Sequence, residues 1–316
     1  MAAGPADGHP GDSDDMMTGT ATKGDVEPRL GQVRRRVARI LQKSLQRPIV
    51  IGRLADEQMP GAFIIAPPRS GTTLLRLIFD THPDIAAPPE TLIFPYLLGA
   101  LREERVTRAM WNVGFHRDSL ARSLGDFARG FVEAYARTKQ KRYWVEKTTT
   151  HVEWLPELRE AFPDVRFVLL YRHPFDVVRS MMERNMIEVY DRFAPWRRDH
   201  PSTFAACCAY VARQQEAMLA FHKQHRRCVH AIRYERLVAN PERELRDVCA
   251  FLGVAFAPQM LDFASARHDI GFGDEKIHQT TEIISRVDTF SGWSDNERHE
   301  ARGYLRACLD GLEYAG

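Results

Sequence analysis

The stretch from Gly61 to Asp80, GAFIIAPPRSGTTLLRLIFD, constrains the fold of this chain more than any other. A short apolar run enters a Pro-Pro-Arg-Ser-Gly turn, and an apolar-periodic segment then opens with Thr72 and Thr73. That order is strand, tight loop, helix. A helix N-terminus presents unsatisfied N–H groups and the positive end of its dipole. A loop that sets Arg69, Ser70, Gly71, Thr72 and Thr73 there is therefore an anion cradle for phosphate or sulfate. A bare Ser-Gly turn also punctuates ordinary strand-to-helix connections, so the cradle needs company before it means a site.

The rest of the chain repeats the alternation of short apolar runs with longer helical ones. Strands are expected at 63–66, 142–146, 166–171 and 229–234. Helices are expected at 72–80, 154–162, 174–184, 203–223 and 241–252, several of them stopped by proline or glycine. This pattern predicts an α/β fold with a central parallel sheet flanked by helices and a P-loop-like cradle. Residues 1–27 read as a disordered tail and residues 28–60 as an amphipathic, arginine-rich helix with its lead-in. Residues 61–316 read as one domain.

Composition narrows the function. A net charge of +2, from 44 basic and 42 acidic residues, carries no nucleic-acid signature, so anion binding must be local. Five cysteines without a C-x-x-C pair suggest neither a metal site nor a disulfide framework, and a cytoplasmic setting is expected. No apolar run reaches the length of a membrane span and no export signal is evident, so no membrane segment is expected. Oligomeric state is not readable.

The cradle differs from a Walker A loop, in which lysine follows the second glycine; here Thr72 follows Gly71 and the cation is Arg69. In a parallel sheet, loops after different strands converge outside the carboxyl ends of those strands. The loop after the third predicted strand is Tyr171-Arg172-His173-Pro174, and the helix it opens sets Ser180 and Arg184 on one face. Arginine forks phosphate bidentately, so Arg172, Ser180 and Arg184 form a second anion set. Two anion sets on neighbouring loops fit a nucleoside with phosphates at both ends.

The segments PPRSGTTLL at 67–75, YRHPFDVVRS at 171–180 and RYERLVANPERELRDVCAFLGV at 233–254 together resemble sulfotransferases that use 3′-phosphoadenosine 5′-phosphosulfate. The resemblance covers most of Gly61 to Gly253 and is nearest to the tyrosyl-protein branch and its bacterial relatives, which carry arginine in the first loop. It implies that Arg69 to Thr73 hold the 5′-phosphosulfate, that Arg172, Ser180 and Arg184 hold the 3′-phosphate, and that Tyr234 lies near the adenosine. It further implies that Glu90, in APPETLIFP, is the base and that Lys147, with Arg69, neutralises charge on the departing phosphate. No metal is required. His151 is an alternative base, ranked below Glu90, and His82 and His173 read as structural. Thr280 and Thr281 are loose matches to a donor-contacting hydroxyl in a C-terminal lid around 270–293, approached by Gly271-Phe272-Gly273.

Geometry permits the Glu90 reading: the helix after the cradle climbs about 13 Å, while residues 81–90 can span roughly 33 Å on the way back. The acceptor is expected to be a hydroxyl of a small metabolite, lipid or glycan. Phe94, Tyr96, Trp111, Tyr190 and Trp196 are candidate pocket walls in segments 91–141 and 185–225. Two rivals remain at this stage: a P-loop small-molecule kinase, and a nucleotide-binding or scaffold protein without catalysis.

Overall fold

The structure is a computed structural model that describes residues 58–269, 271, 283 and 285–314. The predicted tail, the arginine-rich helix, Thr280, Thr281 and the Phe272-Gly273 pair lie outside the described residues. Five parallel strands form one sheet in the order β2-β3-β1-β4-β5. They are β1 (Gly61–Ile65), β2 (Ile85–Ala86), β3 (Tyr143–Lys147), β4 (Arg166–Tyr171) and β5 (Val229–Arg233). Every residue of β1 and β3 is buried, as expected of strands covered on both faces by helices.

β1 is central, pairing with β3 on one side (Ile64 opposite Lys147) and β4 on the other (Ile65 opposite Leu169). The chain leaves β1 through α1 (Thr72–Thr81) toward β2, and later crosses to β4 on the far side. The loops after β1, β3 and β4 are therefore brought to one crevice at the switch in strand order.

Phe63 anchors the core. Its ring meets those of Phe94, Trp144, His151, Phe162 and Phe167 at centroid separations of 5.1–5.8 Å. Truncating such a ring costs about 3–5 kcal/mol, through lost transfer energy and the cavity left behind. A second apolar cluster, including Phe175, Phe193, Tyr210 and Trp293, lies under α6 (Pro174–Glu183), α9 (Thr203–Gln224) and α12 (Asp295–Gly311).

Several boundaries and elements differ from the sequence reading. β2 has only two residues, too few to leave a periodic signal. β5 stops at Arg233, and Tyr234 opens the helix α10 (Tyr234–Ala239) instead of ending the strand. Within 91–141, read as pocket-building, the chain forms α2 (Ile93–Leu98), α3 (Glu104–Asn112) and the 22-residue α4 (Arg117–Thr138). α12 was not anticipated either, although its capping box, Ser294 with Glu297, is a readable start signal. No helix among the described residues is long and apolar enough to cross a membrane.

Candidate functional site

The loop between β1 and α1 is built on two residues in the left-handed region, Arg69 (φ 71°) and Gly71 (φ 92°). Gly71 caps α1 and is required there for two reasons: its φ disfavours side chains, and a Cβ would lie 2.6 Å from the Tyr234 ring. Arg69 Nε donates to Ser180 Oγ at 3.1 Å, which joins the two anion sets predicted from sequence. Ser70 is fully buried, and its Oγ has no hydrogen-bond partner among the described residues. A buried hydroxyl left over at a helix N-terminus fits an anion that accepts from it.

Arg172, at the end of β4, is buried. Its Nη1 donates to the Arg69 carbonyl at 2.7 Å and its Nη2 to the Arg286 carbonyl at 2.5 Å, while the guanidinium lies 4.8 Å from the Tyr234 ring centroid. Its Nε is buried without a partner among the described residues. Burial pulls this guanidinium below its ordinary value, opposed by Asp176, Tyr234 and Glu235. Asp176, fully buried in the first turn of α6, accepts from the backbone N–H groups of Asp288 (3.1 Å) and Thr289 (2.7 Å). The described part of the C-terminal segment is thus fastened to the cradle by Arg172 and to α6 by Asp176. Arg184, the C-cap of α6, is exposed.

The end of β3 makes the other half. Lys147, 2% exposed, donates to Glu90 Oε1 at 2.5 Å, so the loop after β2 does return to the cradle strand's neighbour. Arg76 helps to place that loop: buried on α1, it donates to the Ala87 carbonyl at 3.0 Å. Burial lowers the Lys147 ammonium below its ordinary value; Glu90 opposes this, and Arg76 adds to it. Next to Lys147, Glu146 is fully buried and accepts from Thr148 Oγ1 at 2.8 Å, from Thr91 Oγ1 at 3.0 Å, and from His151 Nε2. Burial alone would push the Glu146 carboxyl up, but His151 and the two hydroxyls outweigh it and hold it below its ordinary value.

His151 therefore does not stand beside Glu90 as a second base. It is fully buried, bound to Glu146 and packed edge-on against Phe63 and Phe94. Phe94 is likewise core and not pocket wall, and Trp196 packs against Tyr210 in the second cluster. Tyr96, Trp111 and Tyr190 are exposed. His82 bonds the Ala255 carbonyl at 2.7 Å, and His173 caps α6. Arg76, Thr91 and Glu146 went unnoticed in the sequence. Only Glu146 left a signal, as a charge inside an otherwise strand-forming run. Among the described residues, no group of three or more His, Cys, Asp and Glu is placed to hold a metal.

The arrangement presents a loop suited to an anion, a buried ammonium paired with a partly buried carboxylate beside it, and a buried arginine with an aromatic face close by. Comparison with known proteins agrees in class. A protein-tyrosine sulfotransferase 1 of Danio rerio is 26% identical over 253 residues, covering 75% of this chain and 66% of that protein. The nodulation protein NoeE of Sinorhizobium fredii is 26% identical over 256 residues, covering 71% of this chain and 58% of that protein. The chain thus spans less than two thirds of the length of each. A solved sulfotransferase domain from the curacin biosynthetic pathway superposes with a TM-score of 0.57 at 20% identity, over 82% of this chain and 99% of that one. That likeness shares the P-loop-NTPase-like sheet. Since the sulfotransferase family model matches residues 60–258, the chain belongs to the sulfotransferase family.

Proposed function

We propose that the chain moves a sulfuryl group from 3′-phosphoadenosine 5′-phosphosulfate to an acceptor hydroxyl. The observation that carries this reading is the Lys147–Glu90 pair at the end of β3, next to the strand that feeds the cradle. Arg69, Ser70, Gly71, Thr72 and Thr73 hold the 5′-phosphosulfate. Arg172, Ser180 and Arg184 hold the 3′-phosphate, and Tyr234 offers its face to the adenosine. The Ser70 Oγ and Arg172 Nε, buried without partners among the described residues, support an anion at each of the two sets.

Glu90 takes the proton of the acceptor hydroxyl as its oxygen bonds to sulfur. The bond from sulfur to the bridging oxygen breaks, and the electron pair leaves with the phosphate of adenosine 3′,5′-bisphosphate. Lys147 and Arg69 stabilise that developing charge, the same positioning and electrostatic task that proteins perform in phosphoryl transfer. The acceptor is a hydroxyl of a small metabolite, lipid or glycan. An apolar portion on it is supported by Tyr96, 82% exposed on the helix that follows Glu90.

The test is calorimetry with adenosine 3′,5′-bisphosphate and, separately, with ATP and Mg²⁺. It is followed by transfer of labelled sulfuryl from the donor to a panel of phenols, sterols, sugars and a tyrosine peptide. The expected result is binding of the bisphosphate, transfer to a non-peptide hydroxyl, and loss of transfer with retained binding in Glu90→Gln. Binding of ATP alone would replace this reading with a kinase, and transfer to the tyrosine peptide alone would overturn the acceptor class.

A further inference from the structure

We infer that Glu146 is a positioning residue for Glu90, acting through the hydroxyl of Thr91; the inference rests on the sulfotransferase reading above. A fully buried carboxylate near the end of an inner strand is expensive, and folding alone would be served better by an apolar side chain. Among the described residues Glu146 is compensated by three partners, of which His151 and Thr148 come from its own strand-end loop. Thr91 alone comes from elsewhere, across 55 positions of sequence.

That third bond has a particular register. Glu146 holds Thr91, and the next strand residue, Lys147, holds Glu90. Two consecutive residues of β3 thus grip two consecutive residues of the returning loop. A single contact from Lys147 would leave the Glu90 carboxylate free to pivot about the ammonium. The second contact, one residue along the backbone, removes that freedom.

The backbone beyond supplies an independent reason for the grip. Leu92 sits in the left-handed region at φ 58°, ψ −5°. For a bulky residue this costs roughly 1–2 kcal/mol, and the conformation persists only where its surroundings over-determine it. Here both flanks are held: Thr91 by Glu146, and Phe94 by packing against Phe63 and His151. His151 touches both Glu146 and Phe94, so one buried imidazole braces each side of the strained residue. The loop that delivers Glu90 is built from β3 outward.

Thr91→Val keeps the shape of the side chain and removes the donor, and Thr91 is only half-buried, so the fold survives the change. The probes are the labelled phosphosulfate donor with the fastest acceptor from the panel, and adenosine 3′,5′-bisphosphate for binding. Displacing a reacting group by an ångström costs on the order of a hundredfold, so Thr91→Val should lower kcat about 10- to 100-fold while donor KM and bisphosphate Kd stay within about twofold. Thr91→Ser, which restores the hydroxyl, should recover most of the loss.

Unchanged kcat in Thr91→Val overturns the inference. Equal losses in the valine and serine variants do so too, since shape rather than the hydroxyl would then matter. A parallel rise in donor KM and bisphosphate Kd also overturns it, as a general disturbance of the cradle. If the wild-type chain neither binds the bisphosphate nor transfers label, the sulfotransferase reading itself fails and takes the inference with it.

Discussion

The two corners of the site differ in how their charges are balanced. At the end of β3, the ammonium of Lys147 and the carboxylates of Glu90 and Glu146 answer one another or His151 within the protein. At the end of β4, Arg172 donates from Nη1 and Nη2 to carbonyl oxygens, while its buried Nε and the buried Oγ of nearby Ser70 have no partner among the described residues. Balanced charge in a dry corner fixes geometry in advance, which is what proton abstraction and leaving-group stabilisation require. Donors left over in the other corner are what an incoming phosphate can satisfy. On the proposed reading, the difference suits one corner to chemistry and the other to holding the donor.

The strongest way to break that division is Lys147→Ala. Removing the buried member of the pair leaves the partly buried Glu90 uncompensated and, on the proposed reading, takes away leaving-group stabilisation. A loss of about 3–5 kcal/mol in urea unfolding and about 10³-fold or more in kcat is expected. Near-normal turnover would show that the β3 corner does not serve the chemistry.

Glu146→Gln comes next, costing about 2 kcal/mol at neutral pH because the hydrogen bonds from His151, Thr148 and Thr91 lose an ionised acceptor. Glu146 titrates below its ordinary value in the folded chain. Its stabilisation is therefore fully present above the ordinary carboxylate range and is lost as pH falls through the lower, folded value. Unfolding free energy followed from pH 7 downward should fall less steeply in the variant, and identical slopes would remove Glu146 from the acid limb.

Gly71→Ala tests the other corner. With φ at 92° and the Tyr234 ring in the way, it should cost about 1–3 kcal/mol and weaken bisphosphate binding about tenfold or more by calorimetry. The smallest effect is expected for Arg184→Ala. An exposed cation contributes little and is screened by salt, so affinity should fall only about three- to tenfold, and by less at high ionic strength. A larger loss than in Gly71→Ala would move the centre of donor binding from the cradle to the end of α6.

Much of the architecture was legible because it is written locally. The β1–loop–α1 unit and the helix stops at Pro and Gly depend on neighbours in sequence, and they came through with shifts of a residue or two at the ends. Elements without a periodic core stripe did not. α3 has no buried residue, and β2 is two residues long, so neither leaves the hydrophobic period by which elements are read. α12 was missed although Ser294 and Glu297 announce it, since its apolar face is sparse: Ala301, Leu305, Cys308 and Leu309 are its buried residues.

The site divides the same way. By itself the sequence determined that Arg69 to Thr73 form a tight turn opening a helix, an arrangement suited to an anion, because a loop of five consecutive residues carries its own donors and dipole. It also identified Lys147, Arg172 and Ser180 as residues at strand ends or on the facing helix. Only the tertiary structure decided which charges neutralise which. Lys147 finds Glu90 across 57 positions and Glu146 finds Thr91 across 55, while His151 turns inward to the core instead of outward to an acceptor. Pairing at that separation is set by how the parallel strands lie side by side, and burial then makes it obligatory: a charge removed from water must find its partner wherever the fold has placed one.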